Sequence, residues 1–296
     1  MTENGMDIVQ TSVFGLSKKG GNPCTVVRNA DQLSMEMMQS MAATFGFETV
    51  FILKSRENEC DYRLRYFAPN HGMGMCVHAT IAAITVLVKQ EECLKQSLLI
   101  ETSVGLIPVY WKMEGESVVV TVEQFKPTLQ TDNPSIAEVA LALCIPETDI
   151  NPLFPIQSLS TSRPKLIIPI KNTVILHNLK PNFQKLWAIC DKFEITGFYP
   201  FVVLNKNELE ARQFPNQSGY DEDPATGVAA SALGAYVTLY NVCGTNQEGW
   251  NAYHIYQGET MGKPSKIQVE IEVDNKKIIR TRISGNAIIL QSGRIQ

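Results

Sequence analysis

Two stretches of this chain, about half its length apart, are apolar right round a helix. Residues 81–88 carry no charged side chain, and residues 229–237 are a run of small and apolar residues. A helix that is apolar on every side is not stable on a surface, so strands have to wrap around each one. Burial is worth ~1.5–3 kcal/mol per large apolar side chain, enough to make each helix the centre of its own folding unit. Each run also follows a polar loop. The first is Ala68-Pro69-Asn70-His71-Gly72-Met73-Gly74-Met75-Cys76-Val77-His78, and the second is Asp221-Glu222-Asp223-Pro224-Ala225-Thr226-Gly227-Val228.

The flanking sequence repeats in the same order. Arg65-Tyr66-Phe67-Ala68-Pro69-Asn70 is echoed by Arg212-Gln213-Phe214-Pro215-Asn216, an offset of 147 in a chain of 296. Val50-Phe51-Ile52-Leu53 resembles Phe201-Val202-Val203-Leu204, and Glu101-Thr102-Ser103-Val104-Gly105 resembles Glu259-Thr260-Met261-Gly262. Matches in one order at about half the chain length imply a duplicated unit. Each copy is expected to contain strands, the buried helix and a closing hairpin, the hairpins turning at Glu114-Gly115 and Asp274-Asn275. The result is an α+β fold of two pseudo-symmetric halves, residues 1–125 and 126–296, with the last strand able to return to the first half. Amphipathic helices over residues 33–44, capped by Ser34, and 183–190 are expected outside the central ones, with Met35, Met37, Met38 and Met41 as core filler. A further helix over 135–143 follows the boundary.

A loop entering a buried helix is a ready anion site. The first N–H groups have no intrahelical partner, and the helix dipole puts partial positive charge there. With two such halves, both helix N-termini can face one cleft, where ligand sites tend to form. Glu48 stands among Phe47, Val50 and Phe51. If it points inward it is partly desolvated, and its pKa moves toward that of a working general acid or base.

Composition narrows the classes of function. With 44% hydrophobic and 19% charged residues and a net charge of −4, the chain has a large core and no basic patch for nucleic acid or anionic membranes. Seven cysteines without a C-x-x-C pair suit a reducing compartment, and the first 30 residues lack the layout of a signal peptide, so a cytoplasmic protein is expected. Cys76-x-His78 is too short for the usual zinc spacing, and His71, His177 and His254 have no metal-like neighbours in sequence, so no metal is expected. Gly72-x-Gly74 lacks the rest of a dinucleotide fingerprint. The isolated basic residues near the C-terminus are expected to be a solvated end.

Gly21-Asn22-Pro23, Glu48-Thr49-Val50-Phe51, Cys76-Val77-His78-Ala79-Thr80, Glu222-Asp223-Pro224-Ala225-Thr226-Gly227 and Gln257-Gly258-Glu259-Thr260-Met261-Gly262-Lys263-Pro264-Ser265 resemble, in order and spacing, the signatures of the PhzF-like phenazine-biosynthesis family. That family is grouped with the diaminopimelate epimerases and proline racemases. The resemblance implies a diaminopimelate epimerase-like fold, each half a barrel-like sheet around a central helix, with a site in the cleft between halves. It also implies a cofactor-independent isomerase, commonly a homodimer, that moves a proton between carbons of a small carboxylated metabolite. Glu48 matches the family's acid/base, and His78 and Asp223 match its histidine and aspartate. Asn22, Cys76, Val77, Thr226, Gly227 and Val228 would line the substrate site.

Three positions depart from the family pattern. Phe47 stands where Ser is common, Val77 where Gly is common, and Val228 where Ser is common. Val77 would be strained if the family's Gly uses a positive φ. Together the changes predict a tighter, drier pocket. In the expected mechanism, backbone N–H groups of Thr226, Gly227 and Val228 hold the substrate carboxylate while Glu48 transfers the proton and His78 and Asp223 hold or relay it. Two alternatives remain open from the sequence: a thiol-based epimerase using Cys76, and a non-catalytic small-molecule binder or degraded enzyme.

Overall fold

The computed structural model describes residues 6–57, 59–244 and 246–295, which form two compact units. The first unit combines residues 6–123 with 284–295, and the second comprises residues 124–283.

In the first unit, strand Met6–Val13 runs antiparallel to Asn22–Val27, which pairs in parallel with Thr49–Leu53. Helix α1 (Met35–Phe45) makes the crossover between those two parallel strands. Ser34 caps it as the sequence predicts, accepting from the Met37 N–H, and Gly46 ends it in the left-handed region. Only two of its four methionines, Met38 and Met41, behave as core filler. Met38 is buried, whereas Met35 and Met37 are about half exposed, because α1 turns a single narrow face to the sheet. From Thr49–Leu53 the chain turns antiparallel into Tyr62–Ala68, which pairs in parallel with Ser97–Thr102, itself antiparallel to Gly105–Glu114. Between Tyr62–Ala68 and Ser97–Thr102 lies α2 (Val77–Lys89), buried without interruption over residues 77–87. The following hairpin pairs Glu114 with Ser117, so its turn is Gly115-Glu116, one residue later than predicted.

The second unit repeats this order. After α3 (Ile136–Leu143), which opens on a Ser135/Glu138 capping box, strand Lys165–Pro169 pairs in parallel with Gly197–Val203. The crossover holds two helices, α4 (Thr173–Asn178) and α5 (Phe183–Lys192). The sequence predicts the second of them and misses the first, six residues being too few to show a period. Gly197–Val203 is antiparallel to Glu208–Ala211, which pairs in parallel with Gly249–Gln257, itself antiparallel to Ser265–Asp274. The central helix α6 (Gly227–Leu239) occupies the position that α2 has in the first unit. Gly234 lets it approach Ser265–Asp274 closely, since a Cβ there would stand 2.5 Å from Val269 Cγ1. An outer layer of α3, α4 and α5 packs a separate core around Leu143, Leu166, Leu176, Leu186 and Phe198.

The same four-step pairing in both units is the duplication seen in the sequence. The last strand, Lys277–Ile295, starts in the second unit and ends in the first, where it pairs antiparallel with Met6–Val13. The C-terminal segment is therefore part of a sheet, and its residues 289–294 are solvent-exposed on it. No helix among the described residues is long and apolar enough to cross a membrane.

Candidate functional site

Each unit brings a cluster of polar side chains to the N-terminus of its buried helix. In the first unit Glu48 immediately precedes the strand Thr49–Leu53, which pairs in parallel with Asn22–Val27, and its carbonyl accepts from the Thr25 N–H at 3.1 Å. The Glu48 side chain is about one quarter exposed, and its Oε2 lies 2.8 Å from His78 Nε2. His78 is the second residue of α2, and Cys76 is the N-cap. Cys76 Sγ lies 3.3 Å from His78 Nδ1, and its side chain makes no capping bond. Sequence flanks alone put Glu48 in an apolar setting. The fold instead pairs its carboxylate with an imidazole and leaves Phe47 substantially exposed.

The pairing sets the electrostatics. Burial alone disfavours the charged form of His78, but Cys76 and Glu48 outweigh it and hold the imidazole pKa well above the ordinary histidine value. Cys24, which the sequence did not single out, is buried behind the same groups. Burial pushes its thiol well up, with Cys76 and Glu48 adding to the effect. The first turn of α2 is fixed from below: Tyr66 donates to Thr80 Oγ1 at 2.8 Å, and Thr80 donates to the Cys76 carbonyl at 2.8 Å. Asn22 is buried at the start of its strand. Val77 is buried with an ordinary negative φ, so replacing the family's usual glycine brings no backbone strain here.

In the second unit the same position is built from a different set. The Asp223 backbone bridges to Gln213, and the Thr226 hydroxyl donates to Asp223 Oδ2. Thr226 is the N-cap of α6, although its side chain makes no capping bond. Gln257 organises the turn: its Nε2 donates to the Asp223 carbonyl at 2.6 Å and to Thr226 Oγ1 at 3.2 Å, and its Oε1 accepts from the Thr226 N–H at 3.3 Å and the Tyr199 hydroxyl at 2.9 Å. The Thr226 N–H is therefore already engaged. Gly227 and Val228 are the first two residues of α6, where backbone N–H groups have no intrahelical partner. Val228 is half-buried and Gly227 buried. Glu222 does not join the site. Both of its oxygens are held by Arg212, from Nε at 2.9 Å and from Nη2 at 2.7 Å.

Nothing local in the sequence marks Gln257, Lys165 or Arg212 as neighbours of the Asp223 turn. Lys165 is buried and donates to the Thr196 carbonyl at 3.1 Å. Burial lowers its pKa to about 8 despite the attraction of Asp223. His177 is paired with Glu210 at 2.5 Å. Glu48, Cys76 and His78 are the one group of potential metal ligands found among the described residues. Spacing along the chain does not reveal it, because the third member arrives by strand pairing.

A family profile described as "Phenazine biosynthesis-like protein" matches residues 11–293. The chain is 33% identical over 278 residues to the uncharacterized isomerase YddE of Escherichia coli K12, covering 91% of each chain. It is 26% identical to the trans-2,3-dihydro-3-hydroxyanthranilate isomerase of Pseudomonas aeruginosa, covering 97% of this chain and 98% of that one. The crystal structure of a PhzF-family phenazine biosynthesis protein from Bacillus anthracis superposes with a TM-score of 0.90 at 26% identity, covering 99% of both chains. The fold is the diaminopimelate epimerase-like one shared with the proline racemases.

Proposed function

The chain belongs to the phenazine biosynthesis-like protein family and is an isomerase-type enzyme, and from that premise we propose that it moves a proton between carbons of a small carboxylated substrate, with Glu48 as acid/base and no cofactor. The contact between Glu48 Oε2 and His78 Nε2 carries the proposal. A carboxylate backed by an imidazolium is kept available as a proton acceptor and fixed in direction, and such positioned acid/base groups contribute ~10²–10⁴-fold to a proton transfer.

The step balances within the substrate. Glu48 takes a proton from a carbon next to the activating group, and the electron pair left behind moves into an enolate-like system ending on the substrate carboxylate. Glu48 then returns the proton to a second carbon as the double bond shifts. Backbone N–H groups of Gly227 and Val228 hold the carboxylate and offset the negative charge that builds on it. Asp223 is held by Thr226 and stands at this helix end as the second proton-bearing group. The anthranilate-type substrate named for the Pseudomonas relative carries a carboxylate, which supports that substrate class. A cytoplasmic location and a homodimer belong to the same proposal.

The test is proton exchange in deuterium oxide with candidate small carboxylates, followed by loss of a C–H signal in NMR. Wild-type exchange is expected to fall by at least ~10²-fold in Glu48→Gln. Exchange within a few-fold of wild type in that variant would remove Glu48 from the role. The closeness of Cys76 to His78 favours one second reading, a thiol acid/base. It predicts the opposite ranking, with Cys76→Ser inactive and Glu48→Gln active.

A further inference from the structure

We infer that Glu48, Cys76 and His78 form a binding site for a borderline-soft divalent cation of the zinc class. Three donors of three kinds, a carboxylate oxygen, a thiol sulfur and an imidazole nitrogen, all lie within 4.8 Å of one another. His78 Nε2 is 2.8 Å from Glu48 Oε2 and 3.7 Å from Cys76 Sγ. Zinc bonds of about 2.0–2.1 Å to nitrogen or oxygen and about 2.3 Å to sulfur put neighbouring ligands in a tetrahedron roughly 3.3–3.6 Å apart. The nitrogen–sulfur edge is nearly that length already, and the nitrogen–oxygen edge has to open by about half an ångström. Cys76 Sγ now lies closer to His78 Nδ1, at 3.3 Å, and supplies the remaining adjustment by turning about its single side-chain torsion toward Nε2, with no capping bond to break.

Charge and solvation select the cation. The site lies at the N-terminus of α2, where the helix dipole disfavours positive charge, so a divalent ion is tolerated only if two anionic ligands neutralise it. A thiolate and a carboxylate do so, and the thiol and imidazole protons leave to solvent as the metal binds. A mixed sulfur, nitrogen and oxygen set suits zinc, whereas magnesium and calcium prefer oxygen throughout. Cys76 and His78 are buried and Glu48 is partly open, so the fourth position is reached from the Glu48 side. If Glu48 is the acid/base, an ion there takes up the lone pair that would accept the substrate proton, and the enzyme is inhibited. That consequence rests on the proposed function, but binding itself does not.

The test uses the full chain, stripped with a chelator and titrated with Co²⁺ and then Zn²⁺. The expected result is one equivalent of Co²⁺ with a sulfur-to-cobalt charge-transfer band in the near ultraviolet, displaced by one equivalent of Zn²⁺. Cys76→Ser is expected to abolish the band, and both Cys76→Ser and Glu48→Gln to weaken Zn²⁺ binding by at least about tenfold. Cys144→Ser, at an exposed thiol, is expected to leave band and affinity unchanged. The inference is overturned by a wild-type protein that gives no stoichiometric charge-transfer band, by a band that survives in Cys76→Ser, or by Zn²⁺ affinity that is unmoved in Glu48→Gln. Should Cys76→Ser fail to fold, the Glu48→Gln affinity decides alone. Because the readout needs no turnover, zinc binding can fail while Glu48 remains the acid/base, and exchange activity can fail while zinc still binds.

Discussion

The amide of Gln257 holds Thr226 from both sides, accepting from its backbone N–H at 3.3 Å and donating to its hydroxyl at 3.2 Å. With the Tyr199 hydroxyl and the Asp223 carbonyl, this uses both donors and both acceptor positions of a side chain that is almost wholly buried. The rigid entrance to α6 therefore comes from a residue 31 positions along the chain from Thr226. Gln257→Leu leaves the Thr226 N–H and the Tyr199 hydroxyl without this acceptor. It should cost about 2–4 kcal/mol in urea unfolding. A cost below about 1 kcal/mol would show that the clamp contributes little.

Arg212 and Glu222 form a second brace under the same turn. The guanidinium also donates through Nη1 to the carbonyls of Leu176 and Leu179, both at 3.0 Å, so it ties the end of α4 to the Asp223 loop. Arg212→Leu leaves a largely buried carboxylate unpaired and is expected to cost roughly 3–5 kcal/mol. Adding Glu222→Leu should recover part of that loss, because the stranded charge is gone. A double variant less stable than the single one would contradict this account.

Gly258 and Gly262 flank the 3-10 turn Glu259–Met261, both with positive φ, at 84° and 66°. A Cβ at Gly258 would meet the Lys263 carbonyl oxygen at 2.3 Å and the Pro224 carbonyl oxygen at 2.7 Å, whereas at Gly262 it meets nothing within 4 Å. Gly262→Ala should therefore cost only the left-handed backbone term, about 1 kcal/mol. Gly258→Ala adds a clash with backbone that has no freedom to rotate away, and should lose more than twice as much. Thermal unfolding of the two variants side by side separates conformation from space. Equal losses would mean that the loops beside Gly258 yield easily.

Lys165 gives the fold a pH dependence of defined sign. Its folded pKa, lowered by burial to about 8, lies below the ordinary value of 10.5. Between those values the unfolded chain binds more protons at this site than the folded one, so the contribution to stability rises with pH across that window. The full swing is at most about 3 kcal/mol. Buried tyrosines, whose pKa values are raised, oppose it in the raw curve. The quantity to measure is the difference between wild type and Lys165→Met at pH 7 and at pH 10. Wild type should gain relative to the variant as pH rises, and a flat or falling difference would contradict a buried ammonium.

The sequence by itself determined the duplicated architecture and the two helix entrances. Residues 81–88 and 229–237 are apolar on every side, and that pattern has one stable outcome, a helix wrapped by strands. The cap Ser34 is equally legible, because capping is settled within four residues. Tertiary structure decided what local patterns do not contain. Glu48 and His78 are 30 positions apart, and strand pairing turns an acid among phenylalanines into the partner of an imidazole. Pairing across the sheet likewise brings Gln257 to Thr226 and engages a backbone donor that the sequence assigned to substrate. Periodicity reports which face of an element is buried. Which polar groups meet on that face depends on register and crossover, and a register is fixed only once both strands are in place.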